Sequence, residues 1–369
     1  MKIAVLHVAQ PVDAGVARCV ADLVADQVSR GWEVTVACPS DGWLHDEIEK
    51  LGARHIHWLA WRPPGPRVFG EVRRLRRILD SVAPDVVHLH SSKAGLAGRI
   101  ALRGRLPTIF QPHAWSFEAA SGAVRKGAVA WERFAARWSH VIVCVSHAER
   151  HHGVEHGISA DWRVVPNGVD LDAFPEASPE ERARARKRLE LPTVALLAVC
   201  VGRLSHQKGQ DVLLEAWPAV IDQVESAHLA LVGSGPEEEQ LRIRAPGGVQ
   251  FAGERDDVHD WLAAADVVVV PSRWEGMSLG LLEALARGRS VVATDVAGSA
   301  EAIGDDAGAV VPVGDRLALA DAIAARLRDS ELAAAEGHAA RARAERDYDL
   351  KRSTAAIAEL YTELTAATS

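Results

Sequence analysis

The chain has 369 residues, 48% of them hydrophobic and 25% charged. That is the composition of a folded protein of about two domains, and it excludes a mini-protein or a disordered chain. No run approaches the roughly 20 apolar residues needed to cross a bilayer, and with a formal charge of −8 no nucleic-acid partner is expected.

The charge is uneven. Residues 1–170 hold 21 Lys and Arg against 17 Asp and Glu, whereas residues 171–369 hold 21 against 33. A net +4 half joined to a net −12 half points to different partners or to mutual docking.

Lys2 to Val8 reads as a first buried strand and not as a signal peptide, because no small-residue cleavage site follows, and a cytoplasmic location is expected. Further strands are expected at 33–38, 85–89, 107–110, 141–145 and 163–165. Helices are expected at 16–29, 68–81, 94–102 and 124–138. Asn167-Gly168 is a turn, and 171–192 becomes polar, with Pro175 and Pro179 ahead of an Arg/Glu-rich helix. We read it as a linker between an N-terminal domain at 1–170 and a second domain at 193–345.

The second domain repeats the pattern, with strands at 194–201, 228–232, 249–252, 267–270, 291–293 and 309–311. Apolar strands alternating with amphipathic helices predict an α/β protein of two Rossmann-like, doubly wound halves. Residues 346–369 form a terminal helix expected to pack back on the first domain. Cys19, Cys38, Cys144 and Cys200 are widely spaced, with no metal-ligand or disulfide pattern.

Doubly wound sheets bind ligands beyond the carboxyl ends of their strands. The loop Gly202-Arg203-Leu-Ser-His-Gln-Lys208-Gly209 follows such a strand and carries two cations in a glycine-flanked turn, suited to an anionic group. After the strand 267–270, Gly276, Met277, Ser278 and Leu279 would open a helix whose N–H groups offer a phosphate cradle without a metal. Glu275 precedes that helix and Glu283 lies eight residues on, inside an apolar run; two carboxylates can accept sugar hydroxyls. The competing readings are surface charges, a helix cap and an ordinary ion pair.

These motifs, in this order, resemble retaining GT-B glycosyltransferases of glycosyltransferase family 4, and the likeness runs through the whole chain. It rests on G-R-L-x-x-x-K-G at 202–209, the E-x7-E pair, Val165-Pro-Asn-Gly-Val-Asp170, Val232-Gly-Ser-Gly-Pro236 and Gly253-Glu-Arg-Asp-Asp257. The resemblance implies two such domains facing a central cleft. It implies that Arg203 and Lys208 bind the donor diphosphate and stabilise the leaving group in place of a metal. Glu283 would hold the ribose, Glu275 the donor sugar, and the backbone of 276–279 the distal phosphate. Gly253, Glu254 and Arg255 would flank the base, with Gly202 and Gly233 in the same donor site. No cofactor or metal is expected, the nucleotide sugar being a substrate, UDP-linked on this reading.

In the first domain, Gly15 in the loop Gln10–Arg18 would approach the donor, although Ala14 stands where the family often has a second glycine. His113 aligns with a histidine beside the donor sugar, and Trp115 and Phe117 could offer an acceptor ring an apolar face, with core packing the competing explanation. The acceptor is either a small natural product or polyol, or a lipid-linked saccharide. Arg73, Arg74, Arg76 and Arg77 form a basic amphipathic helix at 71–79, read either as a peripheral contact with the inner membrane face or as a solvated surface. The Ala/Arg-rich composition suggests a GC-rich bacterial source. Rival readings are an epimerase or hydrolase of the same fold, a non-catalytic sugar-nucleotide binder, and a dehydrogenase; Gly233-Ser-Gly235 begins a dinucleotide motif but has Glu238 where a third glycine belongs.

Overall fold

The computed structural model describes residues 2–61, 65–191 and 195–367. The last residue of the expected linker, Pro192, and the first of the next domain and strand, Thr193 and Val194, lie outside them. The chain divides into two compact units. One comprises Met1–Asn167 with Leu350–Ser369, and the other Gly168–Asp349.

The first unit is built on a seven-stranded sheet: β1 (Ala4–Ala9), β2 (Glu33–Cys38), β3 (Arg54–His57), β4 (Val86–His90), β5 (Thr108–Gln111), β6 (Val141–Cys144) and β7 (Trp162–Val164). All pairings are parallel, in the order β3-β2-β1-β4-β5-β6-β7. The inner strands are buried along nearly their whole length because helices cover both faces; β4 is buried at all five positions, its two histidines included. The terminal helix Leu350–Ala366 belongs to this unit, where Ile357, Leu360 and Tyr361 join Ile3, Val5, Val86, Ile109 and Val141 in one cluster.

The second unit has six parallel strands: β8 (Leu196–Val201), β9 (Ala227–Val232), β10 (Val249–Gly253), β11 (Val267–Val270), β12 (Val291–Thr294) and β13 (Gly308–Val311). Their order is β10-β9-β8-β11-β12-β13. Trp217, Leu213, Leu229, Val269 and Ile323 sit at the heart of its core. In both sheets the strand order reverses once, between β1 and β4 in the first unit and between β8 and β11 in the second, while every pairing stays parallel. The carboxyl ends flanking such a reversal leave a crevice that no crossover helix covers.

The stretch 171–192 is not a free linker as expected. Its helix, Pro179–Arg188, is part of the second unit. Arg182 and Arg186 both pair with Asp266, Arg188 pairs with Asp260, and Arg287 binds the Pro175 carbonyl at 2.6 Å and Glu181 at 2.5 Å. Polar composition here reflects ion pairing onto a neighbouring surface. The chain passes between the units at 167–168 and again at 349–350, and just inside the second unit the Val169 N–H donates to the Tyr348 carbonyl at 2.8 Å.

Candidate functional site

The loops at the second reversal point are 202–209 after β8 and 271–278 after β11. They are held in backbone contact. Gly209 has φ +69°, and a Cβ there would lie 2.0 Å from the Pro271 carbonyl oxygen. Gly233 has φ +141°, and its Cβ would lie 2.2 Å from the Gly202 carbonyl oxygen. Any side chain would separate these loops, which gives the glycines of both motifs a physical reason. Cross-loop bonds finish the frame: Leu204 N–H to the Ser234 carbonyl at 2.9 Å, Arg273 N–H to the Gln207 carbonyl at 2.7 Å, and an Arg273–Asp211 ion pair with two 2.7 Å contacts.

On this frame Lys208 Nζ donates to Glu275 Oε1 at 2.5 Å, and the Ser272 hydroxyl donates to the same oxygen at 3.0 Å. Glu275 is only 8% exposed. The expected helix start follows at once: Leu279–Ala286 is helical, Ser278 occupies its N-cap without a side-chain capping bond, and no acidic residue sits in its first turn. The positive end of the dipole is therefore not neutralised by its own sequence. Gly276, Met277 and Ser278 are buried in the turn leading into it, and Glu283 is half-buried on the helix itself. The Arg203 carbonyl accepts from Gln210 Nε2 at 3.2 Å, fixing the backbone that carries the first cation.

The loop after β10 is tied to the loop after β9. Glu254 accepts from the Ser234 hydroxyl at 3.1 Å, and Gly253 bridges Gly233. Arg255 is exposed and grips Asp257 with contacts of 2.8 and 2.5 Å, which holds the Asp257 carboxyl below its ordinary range. Arg255 thus reaches a ligand only by leaving Asp257.

In the first unit, His113 follows β5 and has φ +56°, with Ala114 next to it at φ +106°. Two successive non-glycine residues in this region mark a strained turn held from outside. The holder is Glu149, fully buried, whose carboxylate accepts from the Ala114 N–H at 2.6 Å and the Val145 N–H at 2.7 Å. His113 Nε2 lies 3.2 Å from His90 Nδ1. His90 Nε2 lies 2.9 Å from His7 Nδ1, and His7 Nε2 lies 2.8 Å from Gln27 Oε1. Burial pushes His113 down to about 3 and His7 to about 4, with His88 and His90 also well below the ordinary imidazole value. Gly15 is exposed with open space around it, and Ala14 itself adopts φ +61°, so the helix Ala14–Ser29 begins in the left-handed geometry a glycine would favour.

Trp115 and Phe117 do not offer a face to an acceptor. Each is 1% exposed, and their rings stack at 5.5 Å, with the Trp115 indole N–H bonded to the Glu149 carbonyl at 2.7 Å. They are core residues that wedge the His113 loop onto the sheet. The basic helix has the two faces the sequence predicts. Val72, Leu75, Ile78 and Leu79 are buried in the core, Glu71 forms a buried ion pair with Lys93 at 3.0 Å, and Arg73, Arg74, Arg76 and Arg77 are exposed. No helix among the described residues is long and apolar enough to cross a membrane.

One group of described residues has metal-ligand spacing, His7, His88 and His90, with ligand atoms within 4.8 Å of one another. His7 is bonded to His90 and to Gln27, and His88 Nδ1 lies 2.6 Å from the Tyr361 hydroxyl. We read it as a hydrogen-bond network.

Residues 14–173 match the family model Glycosyltransferase Family 4, and residues 195–329 match Glycosyl transferases group 1. The chain is 30% identical over 253 residues to the lipopolysaccharide core biosynthesis mannosyltransferase LpsB of Rhizobium meliloti, a match covering 63% of this chain and 68% of that protein. This chain belongs to glycosyltransferase family 4. It is also 27% identical over 313 residues, 81% of each chain, to the Escherichia coli UDP-Gal:alpha-D-GlcNAc-diphosphoundecaprenol alpha-1,3-galactosyltransferase. Its fold matches that of Anabaena HepE, solved in complex with UDP-glucose, with a TM-score of 0.85 at 23% identity, covering 98% of this chain and 100% of that one. It is a glycosyltransferase with the two-domain GT-B fold.

Within this family 4 enzyme, sequence reading missed Glu149 and the histidine network behind His113. Glu149 lies in the polar segment His147–Glu155, where nothing distinguishes a buried carboxylate from a surface one. The histidines had a signal, His88-x-His90 in an otherwise apolar strand, since imidazoles in a fully buried strand must find partners.

Proposed function

We propose that the chain is a retaining, metal-independent glycosyltransferase that moves a sugar from a UDP-sugar to a saccharide acceptor, either lipid-linked or small. The observation that carries this reading is the cluster at the second reversal point: Lys208 and Ser272 both donate to Glu275, in loops that also carry Arg203 and lead into a helix start without a side-chain cap. A diphosphate is an anion that two cations and a helix N-terminus satisfy without a divalent ion. As the glycosidic bond breaks, charge grows on the departing phosphate, and preorganised donors at Arg203, Lys208 and the 276–279 backbone stabilise it there.

Glu275 would then accept from a donor-sugar hydroxyl, and Glu283 from the ribose. In the retaining scheme the departing phosphate takes the acceptor proton on the face where the bond was broken, so no separate base is required. The family relatives support a nucleotide-sugar donor and a saccharide acceptor, one named as using UDP-galactose and a lipid-diphosphate-linked sugar, another as acting in lipopolysaccharide core synthesis.

The test is a thermal-shift series with UDP, GDP and ADP and their sugars in chelator. A nucleotide at 100 times its dissociation constant adds about 2.7 kcal/mol of stability. Stabilisation by UDP in the chelator, absent in Arg203→Ala, is expected. A shift seen only with added Mg²⁺ or Mn²⁺ would contradict metal-independent binding.

A further inference from the structure

His113, His90, His7 and Gln27 form one continuous line of side chains from the strained loop after β5 to the helix Ala14–Ser29. The successive nitrogen and oxygen contacts are 3.2, 2.9 and 2.8 Å. His7 and His90 are completely buried and Gln27 is 1% exposed. An imidazolium at His7 or His90 would carry an unpaired charge in low dielectric, and desolvation also holds half-buried His113 below the ordinary imidazole value, so each ring is neutral and carries one proton. One proton per ring gives the line a direction, because a ring that donates from one nitrogen accepts at the other.

The direction is set at the Gln27 end. Gln27 Oε1 can only accept, so His7 carries its proton on Nε2 and its Nδ1 accepts. His90 must then donate from Nε2 and accept at Nδ1, and His113 must donate from Nε2. We propose that His7 and His90 are positioning residues that lock His113 in the Nε2–H tautomer and leave its Nδ1 lone pair as a hydrogen-bond acceptor for a substrate hydroxyl. The last step, the hydroxyl, rests on the glycosyl-transfer reading above; the tautomer does not.

The arrangement explains two otherwise separate observations. The backbone at His113 and Ala114 takes unfavourable dihedrals, and Glu149 pins the Ala114 N–H at 2.6 Å. Glu149 fixes where the ring stands, and the histidine line fixes which nitrogen bears the proton. Neither is accomplished by the loop's own sequence. His88 lies beside the line with its ring centroid 3.9 Å from that of His90, but its Nδ1 is bonded to Tyr361 and it is not a member of the chain of contacts.

The experiment uses the full chain with ¹⁵N-labelled histidine and long-range ¹H–¹⁵N correlation, with His113 assigned by comparison with His113→Asn. The expected spectrum shows Nε2–H and a bare Nδ1 at His113, His90 and His7. His7→Leu removes the acceptor for His90, so the His90 and His113 tautomers become mixed and kcat falls about tenfold with little change in UDP affinity. His7→Asn places an amide oxygen near the former Nδ1, so it restores the His113 tautomer and most of the lost kcat. A proton on His113 Nδ1 in the wild-type enzyme overturns the proposal. So does a folded His7→Leu variant whose tautomers are unchanged. A mixed tautomer with wild-type kcat contradicts the positioning role while leaving the glycosyltransferase assignment intact.

Discussion

Lys208 Nζ lies 2.5 Å from Glu275 Oε1, so the cation assigned to the donor phosphate is already paired with the carboxylate assigned to the donor sugar. The side chains are 23% and 10% exposed, which places the pair at a partly desolvated surface where its partners matter. On the proposed reading, a diphosphate that takes Lys208 would compete with Glu275 and release that carboxylate for a sugar hydroxyl. Binding of the phosphates and readiness for the sugar would then be linked through one ion pair.

Replacing Glu275 by Gln separates the two roles. Removing the internal competitor should tighten UDP binding by about threefold to tenfold, equivalent to roughly 1 kcal/mol. Turnover should fall by about two orders of magnitude, the scale for one lost stabilising contact in a transition state. Calorimetric titration with UDP checks the first and steady-state kinetics the second. Weaker UDP binding in the variant would show that the pair assists the phosphates instead of competing with them.

Arg203→Ala and Lys208→Ala should each lower turnover by about 10²- to 10³-fold, because each removes a preorganised cation from the developing negative charge. The fold should persist, since the loop frame rests on backbone bonds and on the Arg273–Asp211 pair. Melting curves alongside kinetics separate the effects. Near-normal turnover in the folded double variant would remove the leaving-group role.

Much of this site was legible from the chain because its logic is local. Glycines, cations and carboxylates stand in two short loops that follow unmistakably apolar strands, and β8 and β11 are the kind of fully buried parallel strand that periodicity finds. What was not legible depends on tertiary pairing. β3, Arg-His-Ile-His, carries no apolar run because it is an edge strand, and the helices Trp43–Lys50 and His147–Glu155 are short and polar. Trp115 and Phe117 looked available because sequence cannot show that one loop folds inward. The 171–192 segment looked like a connector because its arginines' partners, Asp260 and Asp266, lie roughly 80 residues away.

The buried histidines should make the protein acid-sensitive above the range where carboxylates protonate. His7, pushed down to about 4, is held neutral by complete burial, with the equally buried His88 and His90 shifted the same way. In the unfolded chain each titrates near 6.5. Below about pH 6.5 the unfolded state therefore binds protons that the native state refuses, so stability is complete above 6.5 and falls as the pH drops toward 4. The slope approaches about 1.4 kcal/mol per pH unit for each such histidine. Urea midpoints at pH 7.5 and 5.5 test this, and equal midpoints would contradict a neutral, solvent-excluded cluster.

The anomeric configuration of the product tests the central claim most directly. A donor held by Arg203, Lys208 and the helix start at Leu279, with the departing phosphate accepting the acceptor's proton, delivers the new bond to the face the old one left. Proton NMR of the first product formed from an α-linked UDP-sugar, recorded before any equilibration, should show an α linkage. A β linkage would contradict the retaining mechanism and require a base on the opposite face of the sugar.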